Sequence, residues 1–382
     1  MRGPGGLRRA ALEDWLRERY FRATTDISSS GVHNYPLGAL RELDADLRED
    51  ELDRLVFRDG PPTGTERLRT AIAARVRPGP DHTVMTTHGS SEALFLAFHA
   101  LLAPGDEVVV PAPAYHSLAV LPASLGAVLR VWPLRPENGF QPDLDDLREV
   151  LSPRTRLVVV NFPHNPTGAC LDPADRAPFL DLVERSGATL LWDGAFADLT
   201  LDHPPLPDPT RDLERSLSFG TLSKAYGLPG LRVGWCVLPT RLVPEFLRYR
   251  DYLTLSLSPL IELLAAVAVE NAEALITPRL IEARENRKRL RQWAAARPDV
   301  VDCVVPRGGV TAFPRFPGHP DTTALCETLL TDHGVLTVPG DCFGHPDRMR
   351  VGFSLPAADL NRALDVVASV AVRTASPQGA AP

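Results

Sequence analysis

Only two of the 41 basic residues in this 382-residue chain are lysines, Lys224 and Lys288. Lys288 lies in EARENRKRLRQW, a charged helix face where any cation would serve. Lys224 lies in TLSKAYGLPGLRVGW, between an apolar strand-like run and glycines. A guanidinium keeps its proton in a protein, whereas an amine can lose one and condense with an aldehyde. A lysine kept at this place therefore points to amine chemistry. Other polar residues also stand where apolar runs end. Asn165 follows LVVVNF in the proline-bounded turn PHNPTG, and Asp193 closes ATLLW. Ser90 and Ser91 follow VMTTHG and open a helix, whose free N–H groups and two hydroxyls suit a phosphate. Thr221 and Ser223 precede Lys224, and Arg232 comes eight residues after it.

One ligand would use all of these groups. A phosphate would take the start of the Ser90/Ser91 helix, Thr221, Ser223 and Arg232. A pyridine nitrogen that must stay protonated would face Asp193. An aldehyde would meet Lys224, and a phenolate oxygen would accept from the Asn165 amide. That ligand is pyridoxal 5'-phosphate (PLP), with its lysine and its pyridinium-nitrogen partner. No histidine and cysteine set has metal-ligand spacing, so no metal is expected.

The elements that must position these groups alternate along the chain. GTERLRTAIAARV reads as a helix with an apolar stripe, and HTVMTTHGSSEALFLAFHALL as strand, turn and helix. DEVVVPAPAY and GAVLRVWPL are strands, LDDLREVL is a helix, and RTRLVVVNF is a buried strand. ATLLWDGAF, RSLSFGTLSKAYG and RVGWCVLP give three more strands. Continuous apolar strands between helices indicate an α/β fold with a mostly parallel sheet covered on both faces. From about Pro259 to Ala296 the pattern is long and helical, and the remainder alternates like a smaller α+β unit. No G-x-G-x-x-G follows a strand, which argues against a nucleotide-binding Rossmann domain.

The length suggests one large and one smaller domain. The net charge of -7 and the absence of a basic run make nucleic acid or an anionic membrane unexpected partners. No apolar stretch is long enough for a membrane helix, and acidic LEDWLRERY stands where a signal peptide would be apolar. Five scattered cysteines without a C-x-x-C pair read as reduced thiols, and the expected location is cytoplasmic. The 37 prolines imply short, stiff loops, with looseness confined to the ends, MRGPGGLRR and TASPQGAAP.

PHNPTG, WDGAF and TLSKAYGLPGLRVG resemble the signatures of the class I/II aminotransferase family, PLP fold type I, and the resemblance runs from LVFRDGPPTGTERLR to MRVGFS. It implies a large PLP domain with a mostly parallel central sheet, a smaller α+β domain built from both chain ends, and a homodimer with shared sites. The implied division is 1–44 as an N-terminal segment covering the site, 45–275 as the PLP domain and 276–382 as the small domain. It also implies that Tyr115 stacks on the pyridine ring and that Arg350 grips the substrate α-carboxylate with a bidentate fork. Two positions depart from the family pattern. Phe196 stands where the family has a tyrosine donating to the phenolate oxygen. Asp59 stands where many relatives have a tyrosine that reaches the partner's phosphate.

LEDWLRERYF, TDISSSGVHNY, TTHGSSEAL and RDYLTLSLSPL narrow the resemblance to PLP-dependent cyclases of 3-hydroxyarginine in antibiotic biosynthesis. The implied reaction is loss of water from Cβ followed by addition of a guanidine nitrogen to the same carbon. In that reading Gly31 and His33, in SSSGVHNY, cover the substrate, and Asp59 is a candidate partner for its guanidinium. His33 or His116 could handle the proton of the departing hydroxyl. The alternatives are an aminotransferase using a 2-oxo acid acceptor, and a non-catalytic PLP-binding regulatory module. The second would carry a DNA-binding domain, for which there is neither room nor a basic segment.

Overall fold

The computed structural model describes residues 6–47 and 52–375. The sequence reading of loose ends falls largely outside that range. Strand β1 (Thr25–Asp26) belongs to the N-terminal segment. Seven further strands build the central sheet: β2 (His82–Thr87), β3 (Glu107–Ala112), β4 (Val128–Pro133), β5 (Thr155–Asn161), β6 (Thr189–Asp193), β7 (Ser216–Thr221) and β8 (Gly234–Pro239). Their order is β2-β8-β7-β6-β5-β3-β4. The five strands from β7 to β4 run parallel, and β8 runs antiparallel to both β7 and β2.

Strand alternation divides the core. Val158, Val160 and Leu190 pack on one face of the sheet with Leu68 and Ile72 of helix Glu66–Val76. Leu157, Val159 and Leu191 pack on the other with Leu94 and Phe98 of helix Gly89–Leu101 and Phe246 of helix Val243–Arg250. Side chains two apart share a face, so a strand buried on both sides must be apolar throughout. That is why β5 reads as an unbroken Leu-Val-Val-Val run.

The strand ends carry polar residues at one edge of the sheet. The register sets Asn161 beside Asp193, and Asp193 beside Phe219. Gly234 stands opposite both Thr87 and Thr221. Asn165, Asp193, Lys224 and the Ser90 helix therefore leave the sheet at a common edge, where ligands of open α/β sheets bind.

The long helical stretch expected from Pro259 to Ala296 is two helices, Pro259–Glu270 and Ala272–Ala295, separated at Asn271. Beyond it, β9 (Thr311–Ala312), β11 (Val338–Pro339) and β12 (Met349–Gly352) form an antiparallel sheet, while β10 (Val335–Leu336) pairs in parallel with β1. The N-terminal helix α1 (Ala11–Arg19) docks on this part through buried Leu12 and Trp15, and Trp15 Nε1 donates to the Thr337 carbonyl at 2.9 Å. The five cysteines are free thiols. Among the described residues no helix is long and apolar enough to cross a membrane.

Candidate active site

A cavity of about 590 Å³ opens at the polar edge of the sheet, a size suited to a small ligand. One end is an anion cup formed by Ser90, Ser91, Thr221, Ser223 and Arg232. Close backbone approach makes the cup possible. A Cβ on Gly234 would lie 2.5 Å from the Gly89 carbonyl carbon and 2.6 Å from the Ser90 nitrogen. Only glycine there lets β8 run beside the helix start. Arg232 adopts a left-handed backbone with φ 53°, which costs a non-glycine residue about 1 kcal/mol. Its Nη1 donates to the Pro229 carbonyl at 3.0 Å and to Ser223 Oγ at 3.4 Å. Its Nη2 lies 3.1 Å from where a Gly89 Cβ would be, so the guanidinium closes the cup over the helix N-terminus. Thr221 Oγ1 accepts from the Ser223 N–H at 3.2 Å and shapes the turn that leads to Lys224.

Asp193 stands at the middle of the cavity, 4% exposed, with one Ala195 N–H donating to its Oδ1 at 3.1 Å. Burial pushes its carboxyl up to about 6, and the charge of Lys224 counters only part of that. The carboxylate forms no ion pair among the described residues. A protonated pyridine nitrogen would supply the missing cation. Asn161 Nδ2 donates to the Asp193 carbonyl at 2.9 Å, and its Oδ1 accepts from the Asn165 N–H at 3.0 Å, so the ends of β5 and β6 are tied together. Arg350 Nη1 donates to Asn165 Oδ1 at 3.1 Å. That contact leaves the Asn165 amide nitrogen to donate to a ligand oxygen.

Lys224 Nζ donates to Ser30 Oγ at 2.8 Å and lies 5.5 Å from the centroid of the Phe196 ring. Burial first, and then the charge of Arg350, hold its pKa down to about 8. Arg350, on β12, is 2% exposed and donates through Nη2 to the Ser28 carbonyl at 2.6 Å. Its Nε is buried without a partner, a donor that a bound carboxylate could satisfy. Burial lowers its pKa to about 10, so it stays charged at neutral pH. Tyr115 lines the wall, and its hydroxyl donates to Glu13 Oε1 at 3.3 Å. Burial and then the charge of Glu13 push that phenol up to about 12.

These residues fit PLP. The cup offers N–H groups, hydroxyls and a guanidinium to a phosphate, Asp193 lacks a cation, and the lysine amine is buried and lowered in pKa.

Four other expected residues lie elsewhere. Gly31 is buried behind the wall, where a Cβ would come 2.8 Å from the Ser223 carbonyl oxygen. His33 and Asp59 are exposed and do not line this cavity. His116 packs against Tyr115, with ring centroids 4.2 Å apart and planes tilted by 52°, without reaching the wall, and burial lowers its pKa. Among the wall residues that the sequence did not single out are Ser30 and Glu13. Ser30 meets a lysine 194 residues away, a contact that no local pattern signals. Glu13 had one available clue: Leu12, Trp15 and Leu16 carry helical spacing, which turns Glu13 and Arg17 together to another face.

Comparison with known proteins places this geometry. The family model for aminotransferase class I and II matches residues 31–367. A capreomycidine synthase from Streptomyces vinaceus is 70% identical over 366 residues, covering 96% of this chain and 94% of that protein. A probable N-succinyldiaminopimelate aminotransferase from Mycobacterium tuberculosis is 30% identical, covering 86% and 79%. The solved PLP-dependent cyclase OrfR, in complex with Au, superposes with a TM-score of 0.90 at 40% identity, covering 96% of this chain and 98% of its own. A PLP-dependent aminotransferase from Streptococcus suis superposes with a TM-score of 0.89 at 26% identity, covering 97% and 100%. The fold is thus the mixed, mostly parallel PLP fold type I, the cofactor is PLP, and the chain belongs to the class I and II aminotransferase family.

Proposed function

We propose that this enzyme converts 3-hydroxy-L-arginine to capreomycidine by removing water and closing a six-membered guanidine ring, without an amino acceptor. The observation that carries this reading is the 70% identity to a capreomycidine synthase across 96% of the chain. Family membership alone, with aminotransferases near 30% identity, would leave an amino-group transfer to a 2-oxo acid as the second reading.

When bound, PLP supplies an electron sink for the substrate carbon Cα. The chain's own residues do the rest. Arg350 holds the α-carboxylate, and its orphaned Nε gains a partner. Asp193 stays ionised against the ring nitrogen. The Lys224 amine, with its pKa held near 8, has a usable neutral fraction at neutral pH and takes the proton from Cα. The Cβ hydroxyl leaves with a proton as water, and a terminal guanidine nitrogen bonds to Cβ and gives up one N–H proton, which replaces the one that left with the hydroxyl. Lys224 then returns a proton to Cα. Atoms balance as substrate less one water. Nucleophile and electrophile belong to one molecule, so little translational entropy is lost at closure. The walls must keep bulk water from adding to Cβ first.

A homodimer belongs to the same proposal. Val56, Phe57 and Tyr252 are 69%, 73% and 90% exposed. Their stretches adjoin, since the Gly60 N–H donates to Ser256 Oγ at 3.3 Å. An apolar patch of this kind fits a symmetric contact with a second copy. Asp59, exposed beside it, would reach a substrate only across such an interface. The division into 1–44, 45–275 and 276–382 is part of the reading too. It is supported by the pairing of β1 with β10, which joins the two ends of the chain. Its second boundary falls inside helix Ala272–Ala295, which would serve both domains.

The test is a mass spectrum of 3-hydroxy-L-arginine incubated with PLP-loaded enzyme and no 2-oxo acid. A stable product lighter by one water, absent with Lys224→Ala, is expected. A keto acid that forms only when a 2-oxo acid is added would replace this reading with aminotransfer.

A further inference from the structure

We propose that Glu13 of α1 is the residue that reads the substrate's guanidinium, and so sets specificity for an arginine-like side chain; this rests on the cyclase reading above. A cationic side chain entering this cavity finds few anions. Among the described residues that line the cavity, the carboxylates are Asp193 and Glu13. Asp193 is buried at the position suited to the ring nitrogen, which leaves Glu13. The neighbouring carboxylates are already engaged. Asp14 pairs with Arg9 at 2.7 Å and with Arg17 at 2.8 Å. Asp26 Oδ1 accepts from the Ser28 N–H at 2.7 Å and from its hydroxyl at 2.6 Å. Glu13 makes no ion pair among the described residues, and its hydrogen bond is the long 3.3 Å one from Tyr115. Both oxygens can therefore accept further bonds from a planar guanidinium, the geometry that carboxylates match best.

The support for Glu13 is rigid. One turn of α1 buries Leu12 and Trp15 against the C-terminal part of the chain. Arg19, at the helix end, donates to Glu327 at 3.0 Å through Nε. The face carrying Glu13 and Arg17 is thereby held over the cavity, and Arg17 is paired with Asp14, a carboxylate it shares with Arg9. Glu13 also raises the pKa of Lys224 through its charge, which puts it within electrostatic reach of the reacting amine. The family model begins at residue 31, so α1 lies outside the stretch it matches.

The test compares two ligands that cannot lose water, L-arginine and L-citrulline, which replaces the guanidinium by a neutral urea of nearly the same shape. Binding to the PLP-loaded enzyme is measured by calorimetry. The unsubstituted enzyme should prefer arginine by at least about tenfold. Glu13→Gln should weaken arginine binding about 10- to 100-fold and leave citrulline within about twofold. Glu13→Asp, which keeps the charge on a shorter arm, should retain part of the preference. Glu18→Gln, on an exposed carboxylate of the same helix, controls for helix stability and should change neither ligand. If the enzyme prefers arginine and Glu13→Gln keeps that preference, the assignment is overturned while the cyclisation reading stands, and Asp59 across a dimer becomes the candidate. If the unsubstituted enzyme does not distinguish the two ligands, no side chain reads the charge and the assignment also falls. The mass spectrum of the product then decides the cyclase reading separately.

Discussion

Asp193 has a burial cost that one cation would offset. In the cofactor-free protein its pKa is raised to about 6 by burial, so below that pH the carboxyl is protonated and cannot pair with a pyridinium. PLP affinity should therefore weaken as pH falls through 6, approaching tenfold per pH unit below it. A binding titration between pH 7.5 and pH 5 checks this, and a flat profile would show that the pair does not hold the cofactor. Asp193→Ala should lower turnover by about 100-fold or more, the effect of unpairing a buried charge. Phe196 bears on the other side of the ring. With no tyrosine hydroxyl to stabilise the phenolate, the nitrogen of Lys224 joined to PLP should hold its proton more tightly here than in Phe196→Tyr. A spectrophotometric pH titration should give the higher pKa to the unsubstituted enzyme, and equal values would contradict it. Lys224, Asp193 and Asn165 could be singled out from the sequence because each ends or follows an apolar run whose period betrays a strand, and Arg232 by its spacing from Lys224. Glu13 and Ser30 could not, because their partners come from distant parts of the chain. The contact of Glu13 with Tyr115 spans 102 residues, and the helical spacing that turns Glu13 away from Leu12, Trp15 and Leu16 does not say what it meets there.

At the level of elements, the anion cup depends on how closely β8 passes the start of helix Gly89–Leu101. Gly234→Ala would push a methyl group into the Gly89 and Ser90 backbone. The protein should still fold, since the clash is local, but PLP affinity should drop about 10- to 100-fold, the scale of a 1–3 kcal/mol overpacking strain. Absorbance of bound PLP during dialysis reads that loss, and full retention would mean that the helix start does not hold the phosphate. The elements around this edge were legible in the sequence. β3, β5, β6, β7 and β8 are each a continuous or alternating apolar run of five to seven residues. The interruption at Asn271 was not legible, since AVAVENAEALI keeps its helical character on both sides of it. The small strands near the C-terminus, two residues each for β9, β10 and β11, are set by pairing with other segments rather than by their own pattern. β10, for example, is aligned by β1 some 310 residues earlier.

For the whole molecule, the exposed Phe57 and Tyr252 surface should be covered by a second copy. Sedimentation should give a dimer, and Tyr252→Glu should shift it towards monomer with loss of activity in proportion, if the sites are shared. A fully active monomer would remove the shared-site arrangement. One labelling experiment tests the chemistry of the assembled enzyme most directly. 3-Hydroxy-L-arginine carrying 15N on its α-amino group is supplied together with a 2-oxo acid, and the products are separated and weighed. Cyclisation keeps the α-nitrogen throughout, so the label should appear in a product lighter than the substrate by one water, with none in the acceptor. Label in an amino acid formed from the 2-oxo acid, beside an unlabelled keto acid from the substrate, would contradict cyclisation and make this protein an aminotransferase.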